Sequence, residues 1–296
     1  MKSLLTPKQV ASAIQVSESS VKRWCDKGVI STQYTAGGHR RIPTSAVMDF
    51  LRTTKHGLAH PEVIGLPAAT GKTERFVDRA HEHFRDGLVA GSEDGCRQIV
   101  LDLYLAAHSI SQIFDLVIAP SFEHIGRLWQ CGEAEVYQER RACEICLRVL
   151  HEIRSFVPTP ALTAPLAIGG AVEGDRYGLA TTMAETVLRQ EQWNATSLGI
   201  DLPFATLKAA IREQRPRLFW LSVSHIEDTD GFLRGYLDLY TSYGACTAIV
   251  VGGRALTETI RHEMRYAAYC DNMQHLESFS QTLLVTAQTA AEGSSE

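Results

Sequence analysis

The sequence predicts three domains in series: a winged helix-turn-helix head, a four-helix bundle, and a doubly wound, Rossmann-like α/β parallel sheet. Three observations carry this fold class. A cap-and-stop pattern marks two short helices before residue 28. Four apolar-periodic stretches of helical length fill residues 73–157, separated by short Gly- and Ser-containing breaks. Beyond residue 164, near-continuous apolar runs alternate with helical ones, as parallel strands buried on both faces do. At 296 residues the chain is long enough for two or three such domains. The expected boundaries are a head over 1–56, a linker over 57–73, a bundle over 74–158 and a sheet domain over 164–290.

In the head, Thr6-Pro7 reads as an N-cap followed by proline at the first helical position. Val10, Ala13 and Ile14 give that helix an apolar face. Ser17 caps a second helix, SESSVKRWCDKG, and Gly28 stops it. Val21 and Trp24 point inward, leaving Ser19, Ser20, Lys22 and Arg23 on the faces that can enter a DNA groove. VISTQYTAGGHRRIP reads as two short strands around Gly37-Gly38. His39, Arg40 and Arg41 follow that turn as three donors suited to phosphate or minor-groove contact. A last helix, SAVMDFLR, closes the unit.

Charge supports the same division. The whole chain is −5, yet residues 1–56 hold nine Lys/Arg against Glu18, Asp26 and Asp49, a local +6 that leaves −11 elsewhere. One end is built to meet a polyanion and the bulk is not. The order helix-turn-helix, T-x-GGHRR wing and helix resembles the DNA-binding domain of the MerR family over residues 1–56. That resemblance implies promoter DNA with a two-fold operator as partner, and a homo-oligomer, dimer or tetramer, to match it.

No segment nears the ~18 consecutive apolar residues of a membrane span, and MKSLLTPKQV does not read as a signal peptide. A cytoplasmic location is expected. The seven cysteines (25, 96, 131, 143, 146, 246 and 270) are odd in number and scattered, so they read as reduced thiols. Cys143 and Cys146 form a C-x-x-C without the second pair that a zinc site needs. No metal site and no catalytic constellation is expected. His225 with Glu227, Asp228 and Asp230 reads as an acidic loop rather than acid–base machinery.

HGLAHPEVIGLPAATGKTE carries two prolines, three glycines and little periodicity, and reads as a linker. Pro120 should kink the third bundle helix. In the fourth, Val136, Arg140, Cys143, Leu147 and Leu150 recur at offsets of four and three, which sets Arg140 in an apolar stripe. A buried guanidinium needs a partner, so Arg140 either snorkels outward or meets an anion.

In the sheet domain, the strand ends carry Gly169-Gly170 with Glu173 to Gly178, Ser222 to Ser224, and Gly252-Gly253. Ligands of such sheets bind beyond those ends. The set resembles the cobalamin-binding domain, whose pattern is DxHxxG, SxL and GG: Glu173 stands at the acidic position, Asp175 where the cobalt-ligating histidine belongs, and Ser224 replaces leucine. The 27 residues between Ser224 and Gly252 are the usual gap. The whole chain resembles cobalamin-dependent photoreceptor repressors of the CarH/CarA type. That resemblance implies a bundle tryptophan and a Glu-His pair over the cofactor, matched here by Trp129 and Glu139, with Arg140 in place of histidine and Gln130 after the tryptophan.

With Gln130, Arg140 and Asp175 at those positions, histidine-on cobalamin is not expected, because arginine has no lone pair to offer and aspartate is a harder ligand. The expectation is a DNA-binding repressor whose sensory module works without histidine-ligated cobalamin. Alternatives are adenosylcobalamin held without a protein ligand, or another tetrapyrrole. Haem could use Cys131, Cys143 or His124, a bilin could attach to cysteine, and Trp129 and Tyr177 would face the ring. Arg140 and Asp175 could also pair across an emptied cleft. A corrinoid carrier, and a regulator that only oligomerises or docks an antirepressor, are further readings.

Overall fold

The computed structural model describes residues 4–71, 77–132 and 135–292. The chain divides into two compact units, Met1–Pro158 and Thr159–Glu296.

The first unit begins with β1 (Leu4–Leu5), α1 (Pro7–Ala13) and α2 (Glu18–Asp26). Thr6 and Gln9 form a capping box on α1, and the Ser17 hydroxyl accepts the Ser20 N–H on α2. β2 (Gln33–Tyr34) and β3 (Arg40–Pro43) make the wing hairpin, and α3 (Thr44–Thr54) follows. β3 is central, flanked antiparallel by β2 and also by β1, a two-residue strand that no sequence pattern announced.

The segment expected to be a linker is instead a packed strap over 57–71. A 3₁₀ turn spans Pro61–Ile64, and Leu58, Ile64 and Leu66 are buried. The Ala59 and His60 N–H groups both donate to the Ala13 carbonyl. Each buried aliphatic contributes about 1.5–3 kcal/mol, which is why this Pro/Gly-rich stretch does not behave as a free tether. Residues 72 and 73 of the expected linker lie outside the described residues.

The bundle comprises α4 (Val77–Ala90), α5 (Glu93–Leu105), a third helix in pieces and α8 (Val136–Phe156). The third runs α6 (Ile110–Ile113), a π turn (Phe114–Ile118) and α7 (Ala119–Gln130). The π turn lies just before Pro120, the residue expected to kink this helix, and the Ala119 N–H reaches back to the Phe114 carbonyl. Head and bundle pack as one unit. The Arg52 guanidinium on α3 lies 3.9 Å from the Tyr104 ring centroid on α5, and donates to the His108 carbonyl at 3.3 Å. Arg97 on α5 grips Glu152 on α8 with two N–H groups and reaches the Gly65 carbonyl of the strap at 2.8 Å.

The second unit follows the expected alternation: β4 (Leu166–Ala171), α9 (Gly178–Gln190), β5 (Asn194–Ser197), α10 (Phe204–Gln214), β6 (Leu218–Ser222), α11 (Thr229–Tyr243) and β7 (Ala248–Gly252). After α12 (Glu258–Glu263), where only helix was expected, a short fifth strand β8 (Ala268–Tyr269) precedes α13 (Met273–Glu292). All pairings are parallel, in the order β5-β4-β6-β7-β8. One apolar core, with Phe219, Phe232 and Tyr236, lies on the α10–α11 face, and another, with Trp193, Trp220 and Leu276, on the α9–α13 face. The strand order reverses between β4 and β6, so the crevice at their carboxyl ends is the switch point.

Candidate DNA-binding face and sheet-edge site

On α2, Ser19, Lys22 and Arg23 are exposed and Ser20 is half-buried. The Ser19 and Ser20 hydroxyls lie 2.8 and 2.9 Å from the capping Ser17 hydroxyl, and Lys22 pairs with Glu18 one turn back at 2.8 Å. These are surface contacts, worth a fraction of a kcal/mol to about 1 kcal/mol. Arg23 makes no ion pair among the described residues. In the wing, the Thr35 N–H donates to the His39 carbonyl at 2.9 Å, and Gly38 takes φ +74°, a backbone that L side chains rarely adopt. His39 is exposed at the tip and Arg41 is half-buried beside it.

Arg40, expected as a third DNA donor, is turned inward. Its Nη1 donates to the Lys22 carbonyl at 2.9 Å, and its Nη2 to Asp26 Oδ1 at 2.5 Å and the Tyr34 hydroxyl at 3.1 Å. Aspartate and a helical carbonyl satisfy it locally, whereas the Arg41 guanidinium donates to the Arg40 carbonyl at 3.1 Å. Strand alternation sends adjacent side chains to opposite faces, the signal by which the two could have been told apart.

At the start of α8, Arg140 is exposed rather than set in an apolar stripe, and Val136 is 50% exposed. The helix buries Ala142, Ile145, Cys146, Val149, Leu150, Ile153 and Phe156 instead. Glu139 is half-buried. The side chains of Trp129 and Gln130, at the end of α7, lie outside the described residues. Among the thiols proposed for another tetrapyrrole, Cys131 is exposed and burial pushes Cys143 up to about 11, with the Glu139 charge adding to it. A protonated thiol of that kind is a poor nucleophile. His124 Nδ1 sits 3.5 Å from Arg85 Nη1.

At the sheet edge, Asp175 is fully buried. Its Oδ1 accepts the Tyr177 N–H at 3.0 Å and its Oδ2 the Ser224 N–H at 2.5 Å. Both oxygens thus accept backbone donors from within the second unit. Glu173 is exposed; Gly178 begins α9; Ser222 is buried and Ser224 half-buried. Gly252 and Gly253 stand close against neighbouring backbone. A Cβ on Gly252 would stand 2.7 Å from the Cys270 carbonyl oxygen, and one on Gly253, at φ +121°, would stand 2.2 Å from that of Val223.

Two further features frame this edge. The Arg254 guanidinium lies 5.3 Å from the Tyr177 ring centroid, and its Nε–H donates to the Ser224 carbonyl at 3.4 Å. Beneath α9, the Trp220 Nε1–H donates to Thr181 Oγ1, itself 3.0 Å from Ser197 Oγ. Beside the edge a cavity of about 370 Å³ is lined by Glu173, Glu227 and Asp228 above Phe204 and Phe232. Asp175, at the position where the resemblance would put a ligating histidine, is fully buried and accepts two backbone N–H groups, which does not fit a cobalt held by that side chain.

Residues 4–55 match the family model described as a helix-turn-helix domain, and residues 80–153 match the one described as a B12 binding domain. Among solved structures, a monomethylamine corrinoid protein of Methanosarcina barkeri is similar at 15% identity and TM-score 0.58, covering 69% of this chain and 98% of that one. A methanol:cobalamin methyltransferase complex of the same organism aligns at 15% identity and TM-score 0.39, over 79% of this chain and 92% of that one. A cobalamin-binding protein of Desulfitobacterium hafniense aligns at 14% and 0.36, over 72% and 98%. Only the first is close enough to bear on the fold. No protein of curated function matches the chain. The chain thus joins a helix-turn-helix head to a module of the B12-binding type.

Proposed function

We propose that this chain is a MerR-type transcriptional repressor whose cobalamin-domain scaffold works without histidine-ligated cobalamin. The helix-turn-helix match supports DNA as the partner, and the observation that carries the rest is the Asp175 carboxylate, buried and bonded to the Tyr177 and Ser224 N–H groups. Ser19, Ser20, Lys22, Arg23, His39 and Arg41 form the DNA-facing set, with the wing following the backbone beside the groove that α2 enters. A head this small binds weakly alone, so the chain acts as a homo-oligomer on a two-fold operator. No helix among the described residues is long and apolar enough to cross a membrane, in keeping with a cytoplasmic site of action.

A second reading has one observation in its favour. Because the bundle itself matches a B12 binding domain, a corrinoid could rest against α7 and α8 near Glu139 with no axial ligand from the sheet unit. One experiment separates the two. Purified chain is titrated into duplex DNA carrying a two-fold operator selected from a random pool, in the dark and under light, with and without adenosylcobalamin. DNA retardation indifferent to cobalamin and light, by a protein that stays colourless after desalting, is the expected outcome. A retained corrinoid band that alters retardation on illumination overturns it in favour of the second reading. Loss of retardation by every preparation removes the regulator reading altogether.

A further inference from the structure

We infer that Arg40 is a positioning residue for DNA recognition: it ties the wing to the carboxyl-terminal turn of α2 and does not itself contact DNA. The inference rests on the DNA-binding reading above and deepens it.

The tip of the wing needs such a tie. β1 anchors only the far end of β3, at Ile42 and Pro43, while β2 is held to β3 over just two residues, Gln33 and Tyr34 opposite Arg41 and Arg40, and pairing that short is marginal in water. The β2–β3 backbone pairing does not itself reach α2. Arg40 supplies the constraint, because one planar guanidinium reaches the Lys22 carbonyl and Asp26 on α2 and the Tyr34 hydroxyl on the opposite strand. Its carbon also stands 5.7 Å from the Tyr34 ring centroid. The planar fork orients all three partners at once, which an ammonium on a flexible stem does not do.

Asp26 points the same way. It is the last residue of α2, where the helix dipole disfavours a carboxylate and where DNA would repel one. An acid there is explained by the arginine it holds. Burial agrees: the Arg40 side chain is 19% exposed against 54% for Lys22. With its charge met by Asp26, Arg40 adds little to the counterion release that drives phosphate binding.

The test compares the full chain with three variants, Asp26→Asn, Arg40→Met and the double variant. Each is titrated against a duplex that the wild-type chain selects from a random-sequence pool and against a scrambled duplex, over a range of salt. If Arg40 touched phosphate, Asp26→Asn would free it, remove a repelling charge and tighten binding to both duplexes. The positioning role gives the opposite sign: Asp26→Asn weakens binding to the selected duplex about tenfold and leaves the scrambled one nearly unchanged. Arg40→Met gives a similar loss with an unchanged salt slope, and the double variant loses no more than either single. Tighter binding by Asp26→Asn, a slope reduced by about 0.9 in Arg40→Met, or additive losses overturn the proposal. So does a fall in the active fraction, read by stoichiometric titration, with the selected-to-scrambled ratio intact, since that is destabilisation alone. Failure of the wild-type chain to select any duplex overturns the DNA-binding reading itself, and the positioning role with it.

Discussion

The buried carboxylate of Asp175 accepts the backbone N–H of Ser224 at 2.5 Å, joining the loop after β4 to the end of β6. Its other oxygen takes the Tyr177 N–H at the entrance of α9. One side chain therefore closes the switch point from both sides. Removing it leaves two backbone donors without their acceptor. Asp175→Ala should lower the unfolding free energy of the second unit by roughly 2–4 kcal/mol, and Asp175→Asn by less, since the amide keeps only one acceptor oxygen. Urea unfolding followed by tryptophan fluorescence measures this, because Trp193 and Trp220 both lie in that unit's core. A midpoint unmoved in Asp175→Ala would mean that the carboxylate is not holding the loop.

Gly253 offers a second test of whether this edge is a cradle or a packed corner. A residue kept as glycine only to admit a cofactor can be replaced without cost when no cofactor is bound. Here the backbone sits at φ +121°, and a Cβ would fall 2.2 Å from the Val223 carbonyl oxygen. Gly253→Ala should therefore destabilise cofactor-free protein by about 3 kcal/mol or more. An unchanged melting temperature would return the glycine pair to a ligand role.

Much of this architecture is legible in the chain because the relevant signals are local. Thr6, Ser17 and Gly28 delimit α1 and α2 through hydrogen bonds and backbone angles that span three or four residues. The strap is not legible in this way, because Leu58, Ile64 and Leu66 are buried by tertiary contacts that composition does not encode. Arg140 misleads for a geometric reason. Offsets of four and three do place Val136, Arg140, Cys143 and Leu147 along one face, but at 3.6 residues per turn that face lies roughly a third of a turn round from the burial line through Ala142, Ile145, Val149 and Ile153. The pattern finds a stripe without saying which stripe meets the core, and Val136 and Arg140 face outward. Asp175 misleads for a chemical one: a carboxylate reads as a surface group until backbone donors are found around it. Arg140→Ala should accordingly leave the unfolding free energy within about 0.5 kcal/mol of wild type, and a larger loss would show a partner for its guanidinium.

Arg52 fastens the head to the bundle. Stacking over Tyr104 at 3.9 Å and donating to the His108 carbonyl, it spans α3 and the end of α5. Such a contact is worth about 0.5–2 kcal/mol. Arg52→Ala should loosen the seam more than it unfolds either part. Limited proteolysis reads this directly, with faster cleavage within residues 55–71 and a bundle fragment that survives. Equal cleavage rates in variant and wild type would show that the strap holds the seam unaided.

The thiols make the last prediction, and it has a defined sign. Burial pushes Cys96 and Cys270 up to about 12 and Cys143 up to about 11, and holds Cys146 well above its usual range. Cys131 and Cys246 are exposed. Since the thiolate is the reacting species, iodoacetamide at pH 8 should alkylate Cys131 and Cys246 first, as read by peptide mass spectrometry. The buried thiols should react only on unfolding. The same shifts set a stability window. The folded state holds these protons more tightly than the unfolded chain, so their contribution is intact below about pH 8.5, where free thiols begin to ionise. It is lost as pH rises from there towards 12. Cys96→Ala should flatten the fall of the bundle's unfolding midpoint between pH 9 and 11 relative to wild type, and parallel curves would show that this thiol ionises as freely folded as unfolded.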